Sequence, residues 1–340
     1  MRPARAVGPA AVALGLLALP QVVSNSFAID ILVRVFLFAF IGVAWNLLGG
    51  YAKQLSLGHA AYFGLGAYTS TLLLIRLGVS PWIGIVAGGV VAMVASLPIG
   101  ALCFRLRGPY FAIATIGTAQ TLMLLFLKFR DFAWGAVGTT IPNLGNSPLM
   151  MQFTAKAAYY YIALLLLAIG LAVTYWVERS WMGYYLVAVG EDQDAAEAVG
   201  VNVPRIKRDI YVISAFLTGL AGTFYVQYIY FIDPNTAFSF NVSVNAALVS
   251  IVGGIGTVWG PVVGTIALEP TSALVQSWLG GGRHPGVQLT LYAVILIAVI
   301  LWQPTGLLGA LAGAYKRLVR DAPGIPGAAA AARHAPPADE

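Results

Sequence analysis

The feature that most limits what this chain can fold into is its succession of long apolar runs. Runs at 29–48, 81–104 and 158–177 each approach the ~20 residues that a helix needs to cross a bilayer. Charged residues make up only 9% of the chain, where a soluble domain carries about 25%. We therefore predict an all-α polytopic membrane protein, because a segment in lipid must satisfy its own backbone hydrogen bonds.

The 340 residues leave room for about ten spans. The predicted spans are an apolar run before residue 26, then 29–48, a glycine-rich segment within 49–75, 81–104, 110–129, 158–177, 210–231, 244–259, 260–279 and 287–302. The first run also fits a signal peptide with a weak cleavage site at Ser24-Asn25-Ser26. The glycine-rich run 244–259 also fits a kinked helix or one shorter than a full span. Residues 1–314 then form one transmembrane domain, and the Ala- and Pro-rich tail 315–340 is predicted to be disordered in the cytoplasm.

The basic residues predict the orientation. With ten spans both termini lie on one side, and most of the 19 Lys and Arg residues fall there. The other side holds Arg76, Lys128, Arg130, Lys156 and Arg283, and Arg34 lies inside a span. Since basic residues concentrate on the cytoplasmic side, both termini are predicted to be cytoplasmic. The same distribution, with basic residues at the ends of apolar runs and no continuous patch, argues against nucleic acid as a partner.

One long polar stretch, VGEDQDAAEAVGVNVPRIK at 189–207, interrupts the apolar sequence. Its acidic residues crowd the start of a short helical pattern, where the positive end of the helix dipole favours them. Gly200 suits the left-handed residue that ends a helix, and Pro204 suits the first turn of the next one. A polar helix within a loop at about 178–209 could bind a soluble partner, although the local pattern by itself favours a solvated loop without a partner.

Glycine-rich segments are the candidate translocation pathway. Such residues let a substrate approach the backbone, or they let helices pack closely, and the sequence does not decide between the two. The candidate residues are Ser56, Gly58, His59, Gly64, Gly66, Thr69, Thr115, Thr118, Gly253, Gly254 and Gly256.

Catalytic and metal-binding patterns were not found in the sequence. It has no G-x-x-x-x-G-K-[ST] phosphate loop and no G-x-S-x-G elbow. The three histidines are scattered, and the single Cys103 lies in an apolar run. We therefore predict no catalytic residue, metal or bound cofactor. Glu269, directly before Pro270, fits either a proton relay or a packed glutamate.

Five stretches resemble the LivM-type branched-chain amino acid permeases of ABC importers. They are NLLGGYAKQLSLGHAAYFGLGAY at 46–68, RGPYFAIATIG at 107–117, GEDQDAAEAVGVNVPRIK at 190–207, VISAFLTGLAGTFYVQY at 212–228 and IVGGIGTVWGPVVG at 251–264. They occur in the expected order and cover most of 46–308. The resemblance implies a permease subunit in the bacterial inner membrane that works by rigid-body alternating access.

The same resemblance implies the partners. These are a second, LivH-like permease, two cytoplasmic ATPase subunits that bind the ATP, and a periplasmic substrate-binding protein. It also implies that the central helix docks into the ATPase through Glu191, Asp192, Ala195, Ala196, Glu197, Gly200 and Lys207. Similar permeases serve urea, short amides or aromatic acids, so the substrate stays open. An ion-coupled secondary transporter and a lipid-modifying membrane enzyme are the competing classes.

Overall fold

The computed structural model describes residues 15–21, 25–278 and 306–310, together with residues 290, 294 and 297. The predicted first span and its signal-peptide alternative lie partly outside the described residues. The predicted last span at 287–302 lies largely outside them, and the tail at 315–340 lies wholly outside.

Helices dominate the described part. They are α1 (15–21), α2 (Ser26–Asn46) with a π-helical continuation (Leu47–Tyr51), α3 (His59–Leu77), α4 (Pro81–Cys103), α5 (Pro109–Lys128), α6 (Arg130–Ala133), α7 (Lys156–Arg179), α8 (Trp181–Glu191), α9 (Gln193–Ala198), α10 (Val203–Ile229), α11 (Pro234–Ala237), α12 (Phe240–Gly254) and α13 (Gly260–Trp278). Two short 3₁₀ turns, Gly135–Val137 and Pro148–Met150, and a two-stranded sheet of β1 (Thr139–Thr140) and β2 (Phe231–Ile232) complete it.

The helical, polytopic class is confirmed, and the span count is not. Seven helices among the described residues are long and apolar enough to cross a membrane. In two of them the span includes a neighbouring element, as in 234–254, which joins α11 to α12. The predicted run 244–259 therefore begins earlier and ends at Gly254. α13 is not among the seven, and it carries Glu269 and Pro270 in its middle.

Local sequence chemistry explains where the helices begin and end. The Ser80 side chain caps α4, whose first residue is Pro81, and the Asn202 side chain accepts a hydrogen bond from Arg205 N at the start of α10. α10 thus begins at Val203, within the polar stretch and seven residues before the predicted span. Gly78, at φ +63°, closes α3 because glycine adopts the left-handed conformation without a steric penalty.

Glycines bring three helices into close contact at the centre of the fold. A Cβ atom on Gly66 of α3 would lie 2.1 Å from the Gly219 carbonyl oxygen of α10. One on Gly222 would lie 1.9 Å from the Phe63 carbonyl oxygen. Thr223 Oγ1 then donates a hydrogen bond to the Gly66 carbonyl at 3.0 Å. α4 packs on the same pair of helices, so α3, α4 and α10 form a tight three-helix group.

The helix that starts at Ser26 does not lead directly into α3. After the π-helical residues, positions 52–58 are non-helical, and they run back against α5, where Leu57 N donates to Thr115 Oγ1. The side chain of Asn46 stabilises a second non-helical segment, the turn between α12 and α13. It donates to Thr257 O and accepts from Gly256 N, both at 2.9 Å. The turn between α12 and α13 is thereby held against the end of α2.

Two ends of the helix bundle can be distinguished. We call the end that carries α8 and α9 the α8 side, and the end that carries β1 and β2 the β1 side. On the β1 side, the long loop predicted at 131–157 has its own structure. β1 pairs with β2 there, and the buried Gln152 side chain bonds to Leu144 N and Pro142 O at 2.7 and 2.8 Å.

Candidate functional site

The polar stretch folds into two short helices rather than one. Glu191 is the last residue of α8, and Asp192 caps α9 by accepting from Asp194 N and Ala195 N at 2.9 and 3.0 Å. Gly200 has φ +91° and ends the turn after α9, as its residue type predicts. The loop is therefore a defined surface with an acidic face, not a flexible connection.

The two adjacent alanines of α9 differ in burial. Ala196 is 4% exposed and packs in a small apolar cluster with Val189 and Val203. Ala195 is exposed. Only Ala195 can therefore meet another protein directly, whereas Ala196 holds α9 against its own chain.

Two ion pairs tie this loop to the rest of the chain, and one hydrogen bond joins α9 to α10 within it. Lys53 Nζ lies 2.7 Å from Glu191 Oε1, and Arg107 lies 3.0 Å from Asp194. The buried Lys207 donates to Gln193 Oε1 at 2.7 Å. Such exposed ion pairs contribute at most about 1 kcal/mol each to stability. Their importance is positional, because Lys53 lies in the non-helical segment before α3 and Arg107 lies two residues before α5.

The candidate pathway residues form a buried hydrogen-bonded group at the start of α3. Ser214 Oγ donates to Ala44 O at 2.6 Å, so its oxygen must accept from His59 Nε2 at 2.8 Å. His59 is thus protonated on Nε2, and its Nδ1 has no hydrogen-bond partner in the described structure. Thr115 Oγ1 accepts from Leu57 N at 3.1 Å.

Most of the other candidates also face the interior of this chain. Gly64 packs on Phe238, and Gly253 packs on the backbone of Gly260, so these glycines serve close helix packing. The candidates that are partly exposed are Thr69, Thr118 and Gly256. Of the predicted pathway residues, only these three are partly exposed, and the others are buried within the chain.

A surface on α5 was missed by sequence reasoning. α5 is the least buried of the seven candidate spans. Its exposed stripe contains Ile113, Gly117, Thr121 and Leu124, with Gln120 half-buried beside it. The exposed residues of α4 are instead apolar, with Trp82 at its start and aliphatic side chains after it. The sequence shows the polar residues Gln120 and Thr121 within an apolar run, but it does not show that this side of α5 faces outward.

A cavity of about 790 Å³ opens on the α8 side between the π-helical residues, α8 and the turn after α12. Its lining includes Trp45, Tyr51, Lys53, Glu178, Tyr184, Glu191 and Ile255. Among the described residues, no three His, Cys, Asp or Glu side chains come together as a metal site requires. Glu269 is 8% exposed and accepts a hydrogen bond from Asn245 Nδ2 at 2.9 Å.

Comparisons with known proteins identify related chains. Residues 27–301 match the family model described as branched-chain amino acid transport system / permease component. The Escherichia coli K12 protein named high-affinity branched-chain amino acid transport system permease protein LivM is 27% identical over 85% of this chain and 71% of its own length. The Salmonella typhimurium LivH permease is 25% identical over 80% of this chain and 91% of its own. The Escherichia coli K12 ribose import permease protein RbsC is 24% identical over 64% of this chain and 68% of its own length. No solved structure matches the chain.

Proposed function

The chain belongs to the family of branched-chain amino acid transport permease components, and from this membership we propose that it forms one half of the membrane pathway of a bacterial inner-membrane ABC importer. Relatives at 25–27% identity are named as permeases for branched-chain amino acids, and relatives at 24% identity as permeases for fructose and ribose. A branched-chain or related hydrophobic amino acid is accordingly the proposed substrate, with urea, short amides and aromatic acids as alternatives.

The observation that supports ATP-driven coupling is the exposed acidic surface of α8 and α9. Glu191, Asp194 and Glu197 are exposed there, beside Ala195. A cytoplasmic ATPase subunit with basic or amide groups in its cleft is the partner that this surface fits. The loop is joined at Lys53 to the segment before α3 and at Arg107 to the start of α5. Movement of a docked ATPase subunit would therefore reach both helices.

We assign the pathway to the exposed stripe of α5, together with Thr69, Thr118 and Gly256. Polar groups at mid-membrane depth are costly against lipid, and they usually face another protein or an aqueous cavity. The Gln120 amide makes no hydrogen bond within the described residues, and Gly117 leaves open space where a side chain would be. A second, similar permease opposite α5 would complete the pathway, and a periplasmic binding protein would deliver the substrate on the β1 side.

Transport then requires no covalent chemistry in this chain. ATP binding draws the ATPase subunits together, and each carries its docked α9 with it. The packed group of α3, α4 and α10 moves as a rigid body, while α5 changes its position relative to the second permease. The pathway opens alternately to the two faces of the membrane.

The test is reconstitution of this chain with its cognate permease, ATPases and binding protein in proteoliposomes. Uptake of labelled leucine should require ATP and all the subunits. Ala195→Arg should abolish uptake while the assembled protein remains in the membrane, because the substitution places a large cation on the exposed docking face. Ala195→Ser, which keeps a small side chain at the same exposed position, is the matched control and should leave uptake unchanged.

Two results would overturn the proposal. One is leucine uptake by this chain alone, driven by a proton or sodium gradient. The other is unchanged ATP-driven uptake by the Ala195→Arg protein.

A further inference from the structure

Several unusual features meet at the cavity on the α8 side. This cavity, of about 790 Å³, lies beside the loop at 178–209, which we call the coupling loop. It has a mixed lining of aromatic, aliphatic and charged side chains. Its size falls within the range of small-molecule sites, about 300–1,000 Å³.

Glu178 is the first unusual feature. It lies in the last turn of α7, where the negative end of the helix dipole disfavours a carboxylate. Its side chain is exposed and forms no hydrogen bond or ion pair with any residue that the structure describes. The neighbouring Arg179 does not neutralise it, because that guanidinium stacks on the Tyr175 ring at 4.2 Å. The cavity therefore presents an unpaired negative group.

Lys53 is the second unusual feature of the cavity. It has φ +50°, a left-handed conformation that costs a non-glycine residue about 1 kcal/mol or more. The strained backbone keeps Lys53 in the cavity wall, where its ammonium group lies 2.7 Å from Glu191. The cavity thus has a positive group as well, already paired with the coupling loop.

Tyr51 is the third. It ends the π-helical turn Leu47–Tyr51, and such turns occur frequently at functional sites. Tyr51 is 7% exposed, and its hydroxyl group has no hydrogen-bond partner in the described part of the chain. A buried polar group without a partner costs about 1–3 kcal/mol unless something else satisfies it.

We propose that this cavity binds a free amino acid zwitterion with an apolar side chain. The ligand ammonium pairs with Glu178, and the ligand carboxylate pairs with Lys53. The apolar side chain packs against Tyr184, Val187 and Ile255, which are exposed in the lining. A purely anionic ligand would meet two carboxylates here. A zwitterion has an advantage over a cation because only the zwitterion has a carboxylate that can pair with Lys53.

The proposal deepens the proposed function and rests on it, because an importer delivers such an amino acid to the cytoplasmic face. The ligand carboxylate competes with Glu191 for Lys53. Binding therefore loosens the contact between α8 and the segment before α3, and accumulated product acts on the coupling loop.

The test is binding of labelled leucine to the assembled importer in nanodiscs, without binding protein or nucleotide. Leucine should bind saturably. Glu178→Gln should weaken this binding about tenfold or more, a loss of about 1.4 kcal/mol. Asp131→Asn is the matched control, since it removes an exposed carboxylate on the opposite side of the membrane. It should leave binding unchanged.

Ligand analogues test the two charges separately. Leucinol lacks the carboxylate, and 4-methylpentanoate lacks the ammonium group, so neither should displace leucine at equal concentration. Equal binding by Glu178→Gln and the unsubstituted protein, equal displacement by either analogue, or no leucine binding at all would overturn the inference. Leucine uptake is measured on the same preparations. If uptake is intact while binding fails, only this inference is wrong, whereas loss of uptake in the unsubstituted complex refutes the proposed function.

Discussion

Replacing Gly222 with alanine tests whether α3 and α10 are held together by backbone contact. The added Cβ atom would lie 1.9 Å from the Phe63 carbonyl oxygen and 2.8 Å from its carbonyl carbon. Both groups belong to helix backbones, so neither can turn aside as a flexible side chain would. The helices must therefore move apart.

The magnitude follows from this geometry. Ordinary van der Waals contact begins at 3.4 Å, so the two helices must separate by about 1.5 Å, enough to lose much of the dispersion energy at the crossing. Overpacking of this kind costs about 1–3 kcal/mol. The hydrogen bond from Thr223 Oγ1 to Gly66 O, now 3.0 Å long, contributes about 1 kcal/mol more. The better helix propensity of alanine returns at most about 1 kcal/mol. The expected net loss is about 2 kcal/mol.

The assay is thermal unfolding of the purified protein in detergent. For a chain of 340 residues, a loss of that size lowers Tm by about 3 °C. Gly117→Ala is the matched control, because a Cβ atom at Gly117 would have no atom within 4 Å. That substitution should leave Tm unchanged or raise it slightly through helix propensity.

The reasoning would be refuted by a Gly222→Ala protein that unfolds at the unsubstituted temperature. It would also be refuted if both alanine variants were destabilised equally, because the effect would then come from the loss of glycine and not from the helix crossing.

Three further predictions concern the breaks in the helices, the coupling loop and the orientation. Asn46→Leu leaves the Gly256 N–H and the Thr257 carbonyl without partners, so the free energy of unfolding should fall by about 2–4 kcal/mol in thermal denaturation. Ala196→Asp buries a charge where the side chain is 4% exposed, so α9 should detach and become sensitive to limited proteolysis, with no new cleavage on the β1 side. A cysteine at Val199 should react with an impermeant maleimide only from the cytoplasmic side, and one at Leu149 only from the other side. These positions are 81% and 79% exposed. Labelling of Val199→Cys in intact cells would show that the predicted orientation is wrong. The natural Cys103 is buried and gives little background.

The sequence alone predicts the membrane class, the resemblance to the permease family and the position of the coupling loop, because these depend on local composition and order. Long apolar runs predict spanning helices whatever they pack against. Gly200 and Pro204 mark the end of one helix and the beginning of the next through backbone preferences that need no tertiary partner.

Tertiary structure decided which residues face outward and which distant groups meet. Ala195 and Ala196 are identical in sequence terms, and only packing against Val189 and Val203 makes one of them interior. Lys53 and Glu191 are 138 positions apart, so no local pattern could bring them to one cavity. The sequence does not show whether Gly66 contacts a substrate or another helix. The structure shows that it packs against the Gly219 carbonyl of α10. The physical reason is that helix formation is satisfied within a segment, whereas a site needs contacts between segments.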